Sequence, residues 1–367
     1  MARVVIVGAG TFGASLAWHL AGGGDDVVLI DQFEPGDPRA TSGGETRLIR
    51  CAHGPDADYA AMARRARTLW RELEAETGTD LLTECGVSWF AHRDDGWEAA
   101  SAQTLHALDI PAERQDVADA ARRFPSLNGA DLTWVLHEPE AGVLRAAHAV
   151  RALAQAATER GARIVHGRAA PDGDRVVLEG DVYEADRVVW SCGGWLATLF
   201  PAVVQLRVTL QQLFFYDGGP GWERAPAWID YDRAVYGTGD LHDLGVKCAW
   251  DEEGPPLDPD APLPDATPQT EALMRGYVAE RFPALAAAPL KGTRTCRYEL
   301  TADSEFLAAE HDGVWLVGGG SGHGFKHGPA LAERVIAAWD GGEPLPARFG
   351  LHRRERGTSL RTAGSNL

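Results

Sequence analysis

Val4-Val5-Ile6-Val7-Gly8-Ala9-Gly10-Thr11-Phe12-Gly13 decides the fold of this chain. An apolar strand runs into three glycines spaced Gly-x-Gly-x-x-Gly and then into a helical pattern. Gly8 permits the tight turn out of the strand, Gly10 lets the backbone approach a pyrophosphate, and Gly13 lets the new helix pack closely on the sheet. Thr11 and Phe12 sit at the helix start, where unpaired N–H groups and the positive end of the dipole favour an anion. A second strand over 27–30 ends at Asp31, about twenty positions beyond the glycines, where a ribose hydroxyl needs an acceptor. Strand, loop, helix, strand and acid together mark a dinucleotide site. Asp31 disfavours a 2′-phosphate, which points to FAD or NAD rather than NADP.

The 367 residues suffice for two domains with sizeable cores. An apolar fraction of 45% and a charged fraction of 24% are those of a soluble globular protein. The net charge of −18 argues against a nucleic-acid partner, which would need a cationic surface. No apolar run approaches the length of a membrane span, and the opening lacks the basic, apolar, small-residue order of a secretory leader. No membrane partner is therefore expected, and the expected location is the cytoplasm. Cys51, Cys85, Cys192, Cys248 and Cys296 are odd in number and lack CxxC spacing, which favours a reducing compartment and no structural zinc.

Residues 40–50 form a small, polar, glycine-rich loop that can wrap a cofactor, with Ser42, Thr46 and Arg47 as candidate contacts. Arg47 and Arg50 lie three apart, so a helical or an extended turn sends them to different partners. Helical spacing predicts helices over 59–77, 97–108, 146–160 and 328–339, the third ended by Gly161. Residues 81–90 read as strands, as do 162–166, 186–191 and 314–317. The 186–191 strand runs into Cys192-Gly193-Gly194-Trp195, a second strand-to-glycine-to-helix junction of the kind that abuts a dinucleotide. Alternation over 206–216 and 246–250 predicts antiparallel strands. The proline- and aspartate-rich loop 254–268 between them and the next elements is expected to be exposed, as a lid or as solvated filler. The arginine-rich tail after Phe349 is expected to fray.

This order predicts an α/β fold: a discontinuous Rossmann-like dinucleotide domain (1–82, 140–206 and 298–350) with an inserted α+β, antiparallel-sheet substrate domain (83–139 and 207–297) and a tail (351–367). A single contiguous NAD domain is not built this way.

Four stretches also resemble one family, in order over nearly the whole chain: the Gly8/Gly10/Gly13 unit with Asp31, Gly44-Glu45-Thr46-Arg47-Leu48-Ile49-Arg50, Thr295-Cys296-Arg297-Tyr298, and Ser321-Gly322-His323-Gly324-Phe325-Lys326. They resemble the monomeric sarcosine oxidase and N-methyltryptophan oxidase family, within the D-amino acid oxidase group of flavoproteins. The resemblance implies FAD held by the N-terminal fingerprint and closed over by the loop carrying Gly322, His323, Gly324, Phe325 and Lys326. It also implies a cysteinyl link from the flavin 8α position to Cys296. Arg50 and Lys326 match the positions that grip a substrate carboxylate. Lys247 matches a lysine placed over the flavin for oxygen activation, and Tyr236, eleven residues earlier, matches an active-site tyrosine.

Two positions depart from the pattern. Gly43 replaces a histidine, which is expected to enlarge the space near the flavin, and Asp251 stands where the family has a substrate-contacting histidine. Asp251 is a candidate acceptor for the amine proton. The implied reaction oxidises the C–N bond of a carboxylate-bearing secondary (N-methyl) or cyclic amino acid to an imine, with O2 reduced to H2O2. The alternatives are an FAD dehydrogenase or secondary-metabolite tailoring enzyme using another acceptor or substrate, and, in another class, an NAD dehydrogenase or a dinucleotide-sensing module. The expected partners are a small-molecule amine or amino acid and O2, for a monomer or weak homo-oligomer.

Overall fold

The computed structural model describes residues 1–339 and 341–351; most of the tail expected to fray lies outside the described residues. Strand Arg3–Val7 lies inside a six-stranded sheet whose order is Leu307–His311, Val314–Gly318, Arg187–Trp190, Arg3–Val7, Asp26–Asp31 and Arg163–His166. All neighbours are parallel except Leu307–His311, which returns antiparallel at one edge. The middle of a sheet of this kind is covered on both faces, which is why its central strands are apolar runs instead of alternating. Val4, Ile6, Val27 and Leu29 pack beneath helices Thr11–Gly22, Ala146–Glu159 and Gly328–Trp339. Val5, Val7, Val28 and Ile30 turn to the other face, against Val176, Leu178, Trp190 and Leu196. Gly13 is where helix meets strand: a Cβ there would overlap the carbonyl oxygen of Gly8, itself at φ +107°.

An eight-stranded sheet stands beside the first, in the order Leu290–Leu300, Arg207–Tyr216, Val246–Trp250, Val235–Thr238, Ala227–Asp230, Val87–Ala91, Trp134–Glu138 and Glu113–Gln115. It is antiparallel, as the alternating runs predict, apart from one joint where Ala227–Asp230 runs parallel to Val87–Ala91. That joint brings together two blocks of the chain separated by a long excursion through the dinucleotide sheet, and such a crossover is what parallel neighbours need.

The two faces of this second sheet differ. Phe90, Phe214, Tyr216, Trp228, Val246 and Cys248 pack against Met274, Tyr277 and Val278 of helix Pro268–Arg281. The sequence pattern did not place that helix, although Thr267 caps it and Pro268 opens it, a recognisable start. The opposite face carries Leu213, Phe215, Ala249, Tyr236 and Cys296, and further along Trp89 and Leu136, which pack with Cys51, Ala52 and Ala60. This second face is the one that turns toward the dinucleotide half.

Loop 254–268 is tied down. Leu210 donates its N–H to Pro255 O and Leu257 to Val208 O, while Asp260 accepts from Trp195 Nε1 (2.8 Å) and pairs with Arg168 (2.9 Å). The loop is pinned to residues on the rim of the cleft described next.

Candidate active site

A cleft opens at the C-terminal ends of the parallel strands, the place where open α/β sheets bind ligands. Of the residues read as cofactor contacts, Gly8, Gly10, Thr11, Phe12, Asp31, Ser42, Arg47, Gly193, Gly322, Gly324 and Phe325 line it. Asp31 fastens the glycine loop by accepting from Ala9 N (2.5 Å) and Phe33 N (2.8 Å). Burial raises its pKa, against the pull of these two bonds. Arg47 organises the neighbouring loop by donating to the carbonyls of Thr41 (3.0 Å), Gly43 (2.8 Å) and Thr46 (2.9 Å).

The lining fits a dinucleotide on two further grounds. Bare backbone forms the cradle: a Cβ at Gly8 would overlap Ser191 O, and one at Gly193 would stand 2.9 Å from Glu299 Oε2. Three buried polar atoms on the same walls, Ser191 Oγ, Arg297 Nε and Glu299 Oε2, have no protein partner. Buried polar atoms of this sort call for a partner, and a ligand rich in phosphates and hydroxyls supplies one.

The other named residues fall outside this lining. Gly13 serves helix packing. Thr46 accepts from the Lys247 ammonium at Oγ1 (3.1 Å) and at its carbonyl (3.3 Å). Lys247 is buried and lies 5.3 Å from the centre of the Tyr236 ring. Burial first, and then the Arg47 charge, lower its pKa to about 7.

Tyr236 Oη is 3.4 Å from Tyr298 Oη, and Tyr298 donates to Asp251 Oδ1 (3.3 Å), so two phenols and a carboxylate form a chain on this face. Burial, reinforced by Tyr298, Cys296 and Asp251, holds the Tyr236 phenol well above the usual range and keeps it neutral. Cys296 packs against the same apolar patch. Burial raises its thiol pKa, while Arg47 and Lys247 oppose that shift.

Tyr298 was not singled out as a site residue. Strand alternation was the available signal, since a residue two beyond Cys296 shares its face. Tyr298 also lines the cleft, so it belongs to both halves of the site.

Arg50 lies 5.2 Å over Trp89 and donates to Ala52 O (2.6 Å). The turn behind it is held by Glu138, a fully buried carboxylate that accepts from Cys51 N (2.6 Å) and Trp89 Nε1 (2.9 Å). Burial raises the Glu138 pKa, and the Cys51 N–H, Trp89 and Arg50 work against that. Nothing local in the sequence marked Glu138, because its partners come from other strands.

Lys326 is buried and donates to His323 O (2.8 Å), while its own carbonyl accepts from Trp70 Nε1 (2.8 Å). The His323 ring turns away from the cleft, with Nε2 on Ser304 O (2.9 Å) and its plane stacked on Phe306. Beside it, His53 donates from Nδ1 to Cys51 O (2.9 Å), so its Nε2 is the acceptor in the 3.3 Å contact with His327 Nε2. Burial and the charges of Arg50 and Lys326 keep His53 and His327 neutral.

Gly43 corrects an expectation. A side chain there would strike the backbone of Asp37 and Pro38, so the position is filled by packed backbone and opens no space toward the cofactor.

The chain is 29% identical over 358 residues to monomeric sarcosine oxidase of Bacillus sp. (strain B-0618), covering 90% of each. It is 27% identical over 363 residues to N-methyl-L-tryptophan oxidase of Yersinia pestis (strain Pestoides F), covering 94% of this chain and 96% of that one. Among solved structures, NikD, an amino acid oxidase essential for nikkomycin biosynthesis, superposes with a TM-score of 0.78 at 22% identity, over 96% of this chain and 99% of that one. L-proline dehydrogenase from P. horikoshii superposes with a TM-score of 0.82 at 19% identity, over 99% and 98%. These two likenesses speak for the fold. Residues 3–339 match the sequence model of the DAO family of FAD dependent oxidoreductases, and the chain belongs to that family.

Proposed function

We propose that this chain is an FAD-dependent amine oxidase acting on a carboxylate-bearing secondary (N-methyl) or cyclic amino acid. The observation that carries the reading is Tyr298, which lines the dinucleotide cleft and at the same time hydrogen-bonds into the Tyr236–Asp251 chain on the face that holds Lys247. Cofactor and substrate chemistry thus meet at one residue. When bound, FAD supplies the two-electron acceptor for the C–N bond and the route of that pair to O2.

Each protein group has a task suited to its setting. The Arg50 fork and the Lys326 ammonium receive the substrate carboxylate, whose burial then costs little because both partners are charged donors. Tyr236, a neutral phenol, orients the amine. Asp251 Oδ1 takes the amine proton through Tyr298, which replaces an imidazole by a carboxylate at the end of the chain. Lys247 stabilises negative charge appearing on oxygen. The imine leaves to be hydrolysed by water, or persists if cyclic. The domain division given above, a cytoplasmic location and a monomer or weak homo-oligomer belong to the same proposal; among the described residues no helix is long and apolar enough to cross a membrane.

Peroxide released in air from N-methyl or cyclic amino acids tests the reaction, and turnover with an artificial acceptor but without peroxide would favour a dehydrogenase. The Cys296 link is tested separately. Burial raises the Cys296 thiol pKa, and Arg47 and Lys247 counter it toward the thiolate. That thiolate would add at the 8α carbon after the 8-methyl group gives up a proton, leaving the electron pair on the flavin, from which O2 would take it. Flavin is expected to stay with the polypeptide after acid precipitation, and Cys296→Ala is expected to release it into the supernatant. Full release from the unaltered protein would remove the covalent link and leave the oxidase reading standing.

A further inference from the structure

Glu299 has no task in the mechanism above, yet it occupies a chosen place. It follows Tyr298 on strand Leu290–Leu300 and points the opposite way, into the junction of two glycine loops. Its Oε1 accepts from Gly320 N (3.2 Å) and its carbonyl from Ser321 N (2.9 Å), so the residue is held from both ends. Oε2 is left over. It is buried without a partner on the wall of the cofactor cleft, and the position of a Cβ on Gly193 would lie 2.9 Å from it and 3.2 Å from Thr41 Oγ1. A carboxylate oxygen kept from water and given no donor is costly, which points to a donor brought by the ligand.

The position along the cleft says which part of the ligand that is. Phosphates belong at the start of helix Thr11–Gly22, and the ring system belongs beside Tyr298 and Cys296, on the face of Lys247. Glu299 directly follows Tyr298 and bonds Gly320, where a Cβ would stand 3.8 Å from the Phe12 ring at the helix start, so it stands between those ends. In FAD the stretch between pyrophosphate and ring is the ribityl chain, with three hydroxyls to donate. We propose, resting on the FAD reading, that Glu299 Oε2 accepts a hydrogen bond from a ribityl hydroxyl and is a binding residue for the middle of the cofactor.

The electrostatics agree. Without a donor, burial raises the Glu299 carboxyl to about 7, so near neutrality it is poised between acid and anion. A hydroxyl donor stabilises the anion, so FAD uptake should release a proton and tighten as pH rises. Were Glu299 instead protonated and donating to a phosphate, uptake would tighten as pH falls. Asp31 and Cys192 also line the cleft, as do Arg47, Arg168 and Arg297, so a variant at 299 must isolate its share.

The test uses full-length Cys296→Ala protein made in riboflavin-starved cells, so that binding is reversible, titrated with FAD and with the three monodeoxyribityl FAD analogues by flavin fluorescence. Glu299→Leu is expected to weaken FAD by about ten- to a hundredfold, the range for a hydrogen bond to a charged group. One analogue should weaken by a similar factor against the parent and lose nothing further against Glu299→Leu. If Glu299→Leu fails to fold, Glu299→Gln keeps the shape. Parent affinity should rise from about pH 6 to about pH 8, and the rise should flatten in Glu299→Gln.

Equal binding of FAD and all three analogues by the parent would overturn the proposal, as would an affinity that falls with pH. Absence of any saturable FAD binding by the parent would instead remove the FAD reading beneath it.

Discussion

Lys247→Met is expected to slow reoxidation of the reduced enzyme by air by orders of magnitude, while anaerobic reduction by substrate stays within about tenfold, a barrier change near 1.4 kcal/mol. Negative charge appears on oxygen only in the oxidative half-reaction, so a cation aimed at it has nothing to stabilise in the reductive one. The setting of Lys247 adds a pH signature. Its ammonium is held by Thr46 and its pKa is lowered to about 7, so the charged form prevails below that pH and is lost above it. Reoxidation should therefore slow as pH rises through about 7, and the Met variant should lose that dependence. Stopped-flow traces of the two half-reactions decide, and a variant impaired equally in both would mean that Lys247 only holds the strand to Thr46.

Arg50→Met is expected to cost about 2 to 5 kcal/mol of substrate binding, because it leaves the substrate carboxylate with one charged partner in a buried site. Glu138→Gln should weaken substrate binding less than Arg50→Met. Glu138 holds the Cys51 and Trp89 donors behind Arg50, so its expected effect runs through the position of that guanidinium. Apparent substrate affinity from the concentration dependence of anaerobic reduction measures both. Unchanged affinity in Arg50→Met would take the clamp away from that residue.

The dinucleotide half was readable because its chemistry fixes the spacing. Phosphate binding at a strand-to-helix turn demands glycine where a Cβ would strike backbone, and Gly8 and Gly13 are such places. The antiparallel runs were readable from their period of two. What escaped depends on partners distant in sequence. The parallel joint of Ala227–Asp230 with Val87–Ala91 is set by tertiary packing, and helix Pro268–Arg281 hid behind a largely polar outer surface despite its Thr267 cap.

Within the site, the sequence named Lys247, Tyr236, Asp251 and Cys296, and the fold brings them to one sheet face. It assigned no task to Tyr298, Glu299 or Glu138, whose contacts arise from which strand end or loop stands opposite. Strand Leu290–Leu300 also carries Lys291, Arg294 and Arg297, so nothing in its polarity sets Glu299 apart as a buried acid. His323 shows the converse: a residue inside a recognisable loop motif whose ring faces the aromatic cluster of Tyr59 and Phe306 and turns from the cleft.

The most direct test mixes the flavin-loaded protein anaerobically with a panel of N-methyl and cyclic amino acids, follows the flavin colour, and then admits air. Bleaching by at least one carboxylate-bearing secondary or cyclic amine, followed by return of the colour with one peroxide formed per flavin reduced, is the expected result. A flavin that no such amine bleaches, or one that is bleached but does not recover in air, would contradict the assignment as an amine oxidase.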